Sequence, residues 1–170
     1  MNTFILRWNP AFSSYKMENH LELVSHVKKG QFPVHFDWSV REWERLKVND
    51  MFILLQVGTD SDGIAMIGKF CSEAYEDDSW RKNGKTVHYA AMQIFDAFDL
   101  SKEKKLRAEN FEKAIQINWH GGHSGELIKE EFAAALVNRI KEANKDSRRW
   151  QESSIEDFIK EEIIIFDDEE

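Results

Sequence analysis

The stretch FDWSVREWERLKVNDMFILLQV, from Phe36 to Val57, decides the fold. Its second half, MFILLQV, is apolar almost throughout, which predicts a central strand covered on both faces. Its first half predicts a helix over Ser39–Val48. Ser39 and Glu42, three residues apart, have the spacing of a capping box, and Val40, Trp43 and Leu46 then share one face. Asn49-Asp50 makes the turn between the two. Trp38 therefore stands on the threshold of the predicted helix. It is either a hydrophobic staple packing near Trp43 or one wall of a pocket for a flat ligand.

Downstream, GTDSDG (58–63) is a turn and IAMIGKF (64–70) a return strand, so Met51–Phe70 reads as a β-hairpin. Gly68 marks a bulge or a close approach within it. Upstream, TFILRW (Thr3–Trp8) reads as a strand stopped by Asn9-Pro10. Met17–Lys29 reads as a helix with Leu21, Val24 and Val27 on one side and a glycine stop at Gly30. Gln31–Phe36, with Pro33, is a connector. Further on, Glu73–Lys85 reads as a polar loop, Thr86–Phe98 as a long strand and Ala114–Trp119 as another. The glycine loop HGGHSG (120–125) leads into a predicted helix over Glu126–Ala143, followed by a short helix at Ser153–Glu162 and an edge strand at Ile163–Phe166. The pattern predicts an α+β domain of about six strands, mostly antiparallel, curved into a sheet or small barrel with flanking helices.

The totals fit one domain with a sizeable core: 170 residues, 42% hydrophobic and 12% aromatic. No apolar run is long enough for a membrane span. MNTFILRWNP lacks a basic leader and a cleavage site, so no signal peptide is expected. The single cysteine, Cys71, allows no intrachain disulfide and points to a reducing, cytoplasmic compartment. The net charge of -8 is concentrated at one end. Residues Glu152–Glu170 hold nine acids and one base, and the rest of the chain holds 22 of each. Residues 151–170 are therefore read as an acidic C-terminal extension to a domain of residues 1–150. A neutral body with a basic face can still meet a phosphate backbone.

Few constellations carry reaction chemistry. His120, His123 and Glu126 are candidate zinc ligands, but their spacing around a glycine loop is not that of a helix face and no C-x-x-C accompanies them. No nucleophile elbow or P-loop is present. No catalytic residue, metal or cofactor is expected. What remains is aromatic. Trp8, Trp38 and Trp119 each sit at the end of a predicted strand or the start of a helix, with Asn9, Ser39, Gln56, Asn118 and His120 as polar neighbours. Flat rings with a few amides and hydroxyls suit an unstacked base, since each ring–base stack contributes about 1–3 kcal/mol. For any one tryptophan alone, burial in the core is the commoner fate.

The segment Phe36–Tyr75 resembles the EVE domain of the PUA-like superfamily. The shared features are Asn9-Pro10 after the first strand, Trp38-Ser39 before the helix, Lys47 and Asp50 at the turn, and a hairpin whose second strand opens Gly63-Ile64 and continues to Gly68. IQINWHGGHSGELIKEEF (115–132) is similar to the strand–loop–helix that follows in restriction-associated members. The resemblance spans most of residues 1–145. It implies a curved β-barrel with flanking helices and a non-catalytic module that recognises a modified base of DNA or RNA in an aromatic-lined pocket. Carried over by position, it implies that Trp8, Asn9, Trp38, Ser39, Gly63, Ile64 and Trp119 line or border that pocket. Lys28, Lys29, Arg41, Arg45 and Lys47 would then meet the nucleic-acid backbone, and a nuclease is a candidate partner. Asn49 stands where many members have glycine, and the acidic hairpin turn (Asp60, Asp62) and acidic tail lie outside the pattern. A small-ligand or protein interaction module using the same pocket is the alternative, since an aromatic cage also suits a methylated amine.

Overall fold

The computed structural model describes residues 1–31 and 36–161. The expectations for Pro33 and for an edge strand at Ile163–Phe166 lie outside the described residues. Seven strands form one mixed sheet in the order β2-β6-β4-β3-β1-β7, with β5 also on β6. They are β1 (Thr3–Trp8), β2 (Phe36–Ser39), β3 (Met51–Gln56), β4 (Gly63–Phe70), β5 (Tyr75–Asp78), β6 (Thr86–Ala97) and β7 (Glu126–Leu127). The helices are α1 (Met17–Lys28), α2 (Glu130–Ala143), α3 (Arg148–Glu152) and α4 (Ile155–Lys160). β1 pairs β3 in parallel, and every other ladder is antiparallel. No described helix is long and apolar enough to cross a membrane.

The apolar run MFILLQ is the middle of this sheet, and all six of its residues are buried. Side chains alternate across a strand, so one run feeds two cores. Phe4, Leu6 and Trp8 of β1 join Phe52 and Leu54 of β3 on the face covered by Val24 and Val27 of α1. Ile5 joins Met51, Ile53 and Leu55 on the other face, under Leu136 and Ile140 of α2 and Ile155 and Ile159 of α4. Two register shifts, at Leu54/Leu55 and Ile67/Gly68, bend the central strands. Gly68 is both bulge and close approach: a Cβ there would lie 2.1 Å from the Gln93 carbonyl oxygen.

Residues 148–161 pack into the α2 face. Lys69 of β4, itself fully buried, donates from Nζ to the carbonyls of Phe158 (2.6 Å) and Glu161 (2.9 Å) and lies over the Phe158 ring. A cation thus meets the carbonyl end of α4, where helix partial charge favours it. Burial pushes the Lys69 ammonium below its ordinary pKa, against the attraction of Glu161.

Several local expectations give way to long-range pairing. The helix over Ser39–Val48 does not form. Ser39 ends β2, paired with Tyr89 of β6, and the Val40 amide donates to the His88 carbonyl. The Arg41 and Glu42 amides, which a helix start would leave to a cap, donate to the Ser124 and Gly125 carbonyls. Only a 3₁₀ turn, Trp43–Arg45, remains. The α2 helix begins at Glu130 and not at Glu126, because Glu126–Leu127 pair with Ile5 and Phe4 on the edge of β1. Ala114–Trp119 is a run of turns that sends Ile115, Ile117 and Trp119 into the α2-side core without a ladder. Within Glu73–Lys85, the acidic segment YEDD pairs with Thr86–Tyr89 as β5, an exposed edge strand.

Candidate functional site

β2 presents Phe36 and Trp38 toward the α1 side of the sheet, where both pack partly buried against that core. Tyr15, from the segment before α1, completes a group of rings. Tyr15 and Phe36 stack at 5.2 Å and 23°, and Trp38 meets both near-perpendicularly, at 5.9 Å and 87° and at 6.0 Å and 75°. Such edge-to-face geometry is the favoured contact of aromatic quadrupoles.

A buried chain of hydrogen bonds fixes Tyr15. The Trp8 indole N–H donates to the Tyr15 carbonyl at 2.7 Å. The Tyr15 hydroxyl donates to His20 Nδ1 at 2.9 Å, and His20 Nε2–H donates to the Phe98 carbonyl at 2.8 Å. This arrangement requires the neutral imidazole. Burial holds the His20 pKa below its ordinary value and pushes that of the Tyr15 hydroxyl up.

These rings open on a cleft of about 1230 Å³. Trp43, His88, Trp80 and the exposed Phe12 contribute further rings to its wall. Trp43 lies flat on the His88 imidazole, 3.7 Å apart and 9° from parallel. Trp80 sits on the β5–β6 turn, 37% exposed, with the Arg81 guanidinium 5.1 Å from its ring centre. The opposite wall is the glycine loop, residues 120–124.

That loop is clamped from beneath by Arg7, whose side chain is only 2% exposed. Arg7 Nε and Nη2 donate to the Asn118 carbonyl at 3.1 and 3.0 Å, Nη1 donates to the His123 carbonyl at 2.6 Å, and Nη2 pairs with Glu126 at 3.0 Å. His120 braces the loop's outer side. Its Nδ1 lies 2.7 Å from Asp62 Oδ2 and its Nε2 2.5 Å from Glu112 Oε1. Those hydrogen bonds, Asp62 first, raise the His120 pKa. Gly125 closes the loop with φ +89, and a Cβ on it would lie 2.4 Å from the backbone of Val40 and Arg41. Only glycine lets the two segments approach this closely.

Charge around the cleft is uneven. Arg41, Arg81 and Lys85 line it, and no ion pair engages any of them among the described residues. Asp37 is the acidic residue in the wall, and its carboxylate accepts from the Tyr75 hydroxyl.

Of the residues the sequence suggested for the pocket, Trp8, Asn9, Trp38 and Ser39 border this one cleft. Trp8 is 1% exposed beneath the rings. The Asn9 carboxamide oxygen accepts from the Ala11 amide in its own turn. Trp119 belongs to the α2-side core, stacked on Phe111 at 5.4 Å, and borders a separate hollow of about 930 Å³. Gly63 and Ile64 are buried away from the cleft, with Gly63 against the Leu106–Arg107 backbone. Of the suggested backbone cations, Arg41 alone lines the cleft. Lys28 is taken by Asp96 (3.0 Å) and Glu103 (3.6 Å). Lys29 follows α1 as its C-cap. Arg45 and Lys47 sit near the start of β3, joined to Asn2 and Asp50 through their backbones. The candidate metal ligands are likewise engaged: Glu126 with Arg7, His120 with Asp62 and Glu112. No group of three metal-binding side chains exists among the described residues.

Tyr15, Phe36, Trp80, Arg81, Lys85 and Ser124 were not foreseen as site residues. A signal existed for two of them. The Trp80-Arg81 pair interrupts an otherwise polar loop, where a large exposed ring has no packing role. The others are placed by contacts that no local pattern announces: Phe36 by β2–β6 pairing, Lys85 by the β5–β6 turn, Tyr15 by Trp8 and His20, and Ser124 by Arg7 and Trp38.

No family model and no curated protein matches the sequence. Solved structures match the fold. A hypothetical protein from Leishmania major superposes with a TM-score of 0.52 at 14% identity, over 87% of this chain and 98% of its own. The human THYN1 protein, solved in complex with 5-methylcytosine-containing DNA, superposes with a TM-score of 0.51 at 13% identity, over 81% of this chain and 96% of its own. At such identity the likeness is one of fold: a PUA-like α+β fold, the one the EVE resemblance implies.

Proposed function

We propose that this chain is a non-catalytic nucleic-acid-binding module that holds one extruded base, carrying a modification such as a 5-methyl group, in the Trp38 cleft. One observation carries the reading. The Tyr15–Phe36–Trp38 group opens on a cleft whose wall also carries Arg41, Arg81 and Lys85 with no ion-pair partner among the described residues. Rings offer a π-face to any base, and neighbouring cations meet the phosphates of the strand it leaves. Trp80 and Arg81 then lie where the nucleotide next to the extruded base would pass. The fold likeness to a protein solved with methylated DNA supports the same reading.

The test is a binding panel by fluorescence anisotropy: single- and double-stranded DNA and RNA with cytosine, 5-methylcytosine or 5-hydroxymethylcytosine at one position. The reading expects a modified strand to bind tightest, and affinity to fall with salt at roughly 0.7 log units per log unit of salt for each phosphate met on a single strand. Equal and negligible affinity across the panel ends it. The alternative, a small planar ligand or a protein segment in the same cleft, is disfavoured for cationic ligands by the basic rim.

A further inference from the structure

The Ser124 hydroxyl is unusual in what it accepts. Its oxygen takes two hydrogen bonds, from the Arg7 backbone N–H at 3.1 Å and from the Trp38 indole N–H at 2.9 Å. A hydroxyl oxygen has two lone pairs and one proton. Both lone pairs are therefore occupied, and the O–H lies along the one tetrahedral direction left. No acceptor meets it among the described residues, and Ser124 is half-buried in the cleft wall. Most serine hydroxyls rotate to suit either partner type. This one is fixed as a donor by two N–H groups that can only donate.

We infer that Ser124 is a specificity-determining residue of the cleft: a locked hydrogen-bond donor at the edge of Trp38 that selects a ligand with an acceptor atom on the facing edge. The inference rests on the base-binding reading and sharpens it. A ring stacked on Trp38 lies in a plane parallel to the indole, so its edge passes beside the group that holds the indole N–H. A cytosine-type ring presents N3 and O2 there as acceptors. A methylated ammonium has no acceptor and leaves the hydroxyl without a partner. Arg7 is part of the device, because its buried side chain holds the loop that carries Ser124 and its own amide occupies one of the two lone pairs.

The experiment is a double-mutant cycle between protein and ligand. Wild type and Ser124→Ala are titrated with single-stranded DNA carrying one 5-methylcytosine, and with two analogues of that base, one with N3 replaced by C–H and one lacking the 2-carbonyl. Circular dichroism and thermal melting establish that the variant is folded. Wild type is expected to bind the 5-methylcytosine strand about five- to tenfold more tightly than Ser124→Ala does, the effect of one neutral hydrogen bond. Wild type loses a similar factor on one of the analogues, and Ser124→Ala loses nothing further on that analogue. Ser124→Thr, which keeps the hydroxyl, recovers the affinity. The inference is overturned if Ser124→Ala binds the 5-methylcytosine strand as wild type does. It is equally overturned if the losses multiply on both analogues, which would make Ser124 a prop for Trp38 alone. If wild type itself binds no strand of the panel, the base-binding reading falls and takes this inference with it.

Discussion

Two hollows flank the glycine loop, and they use charge in opposite ways. The hollow beside Trp119 is lined by Glu42, Glu112, Glu126 and Lys129. Its three acids are all committed to the fold: Glu42 accepts from the Leu127 amide, Glu112 pairs with His120 and Glu126 with Arg7. The cleft beside Trp38 carries Arg41, Arg81 and Lys85 without ion-pair partners among the described residues. The tryptophans differ in the same sense. Trp119 is 3% exposed, and its N–H donates to the Ile115 carbonyl of its own turn. Trp38 is half-buried, and its N–H reaches across to another segment. Polar groups already satisfied at home hold structure, and those left over are available to a ligand.

The difference predicts separable effects. The largest is Trp119→Ala, expected to cost about 3–5 kcal/mol of stability through cavity formation. Denaturant unfolding measures it, and a loss near zero would erase the distinction between the two rings. Trp38→Ala should reverse the pattern. Its stability cost is smaller than that of Trp119→Ala, while affinity for the preferred oligonucleotide falls about 5- to 150-fold, corresponding to the roughly 1–3 kcal/mol of a base stack. Next come the rim cations. Arg81→Ala and Lys85→Ala should each weaken binding at all sequences alike and flatten the salt dependence by about one phosphate. Lys28→Ala, away from the cleft and held by Asp96, should leave that slope unchanged.

The smallest effect is a pair of opposite pH slopes. His20 has a folded pKa below the ordinary 6.5, chiefly through burial. Its contribution to stability is present above 6.5 and is lost as pH falls from there toward the lower folded value. His120 has a folded pKa above 6.5, raised first by its hydrogen bond to Asp62. Its contribution is complete below 6.5 and is lost as pH rises through the raised value. Comparing the unfolding midpoints of His20→Gln, His120→Gln and wild type across pH should show slopes of opposite sign. The His120 slope should be the shallower, since solvent screens an exposed pair. Slopes of the same sign would contradict the assigned protonation states.

Much of this was legible in the sequence where local chemistry decides. β1 ends at Trp8 before Asn9-Pro10, α1 stops ahead of Gly30 with φ +73, and the β3–β4 hairpin stands where its turn residues place it. Asn49 adopts φ +77, the left-handed backbone that asparagine tolerates. What local patterns missed was decided by partners far along the chain. Ser39 and Glu42 have capping-box spacing, yet β6 claims Ser39 and the Leu127 amide claims Glu42. β5 was hidden because YEDD reads as loop, although an edge strand facing water tolerates acids. For the site, Trp38 could be read from its position, but its companions could not. Trp119 and Trp38 share one kind of place in the sequence, the end of a predicted strand or the start of a helix, and only the layer that covers each sets the two apart.

The position of β1 has a consequence for how the chain assembles on the ribosome. Phe4 pairs with Phe52 on one side and Leu127 on the other, so the apolar ribbon TFILRW emerges long before either neighbour exists. Until then a nascent chain carries two unsatisfied edges on one of its most hydrophobic segments, the kind of surface that recruits chaperones or drives aggregation. A pause in synthesis after β1 has left the exit tunnel, but before β3 follows it, would lengthen that exposure.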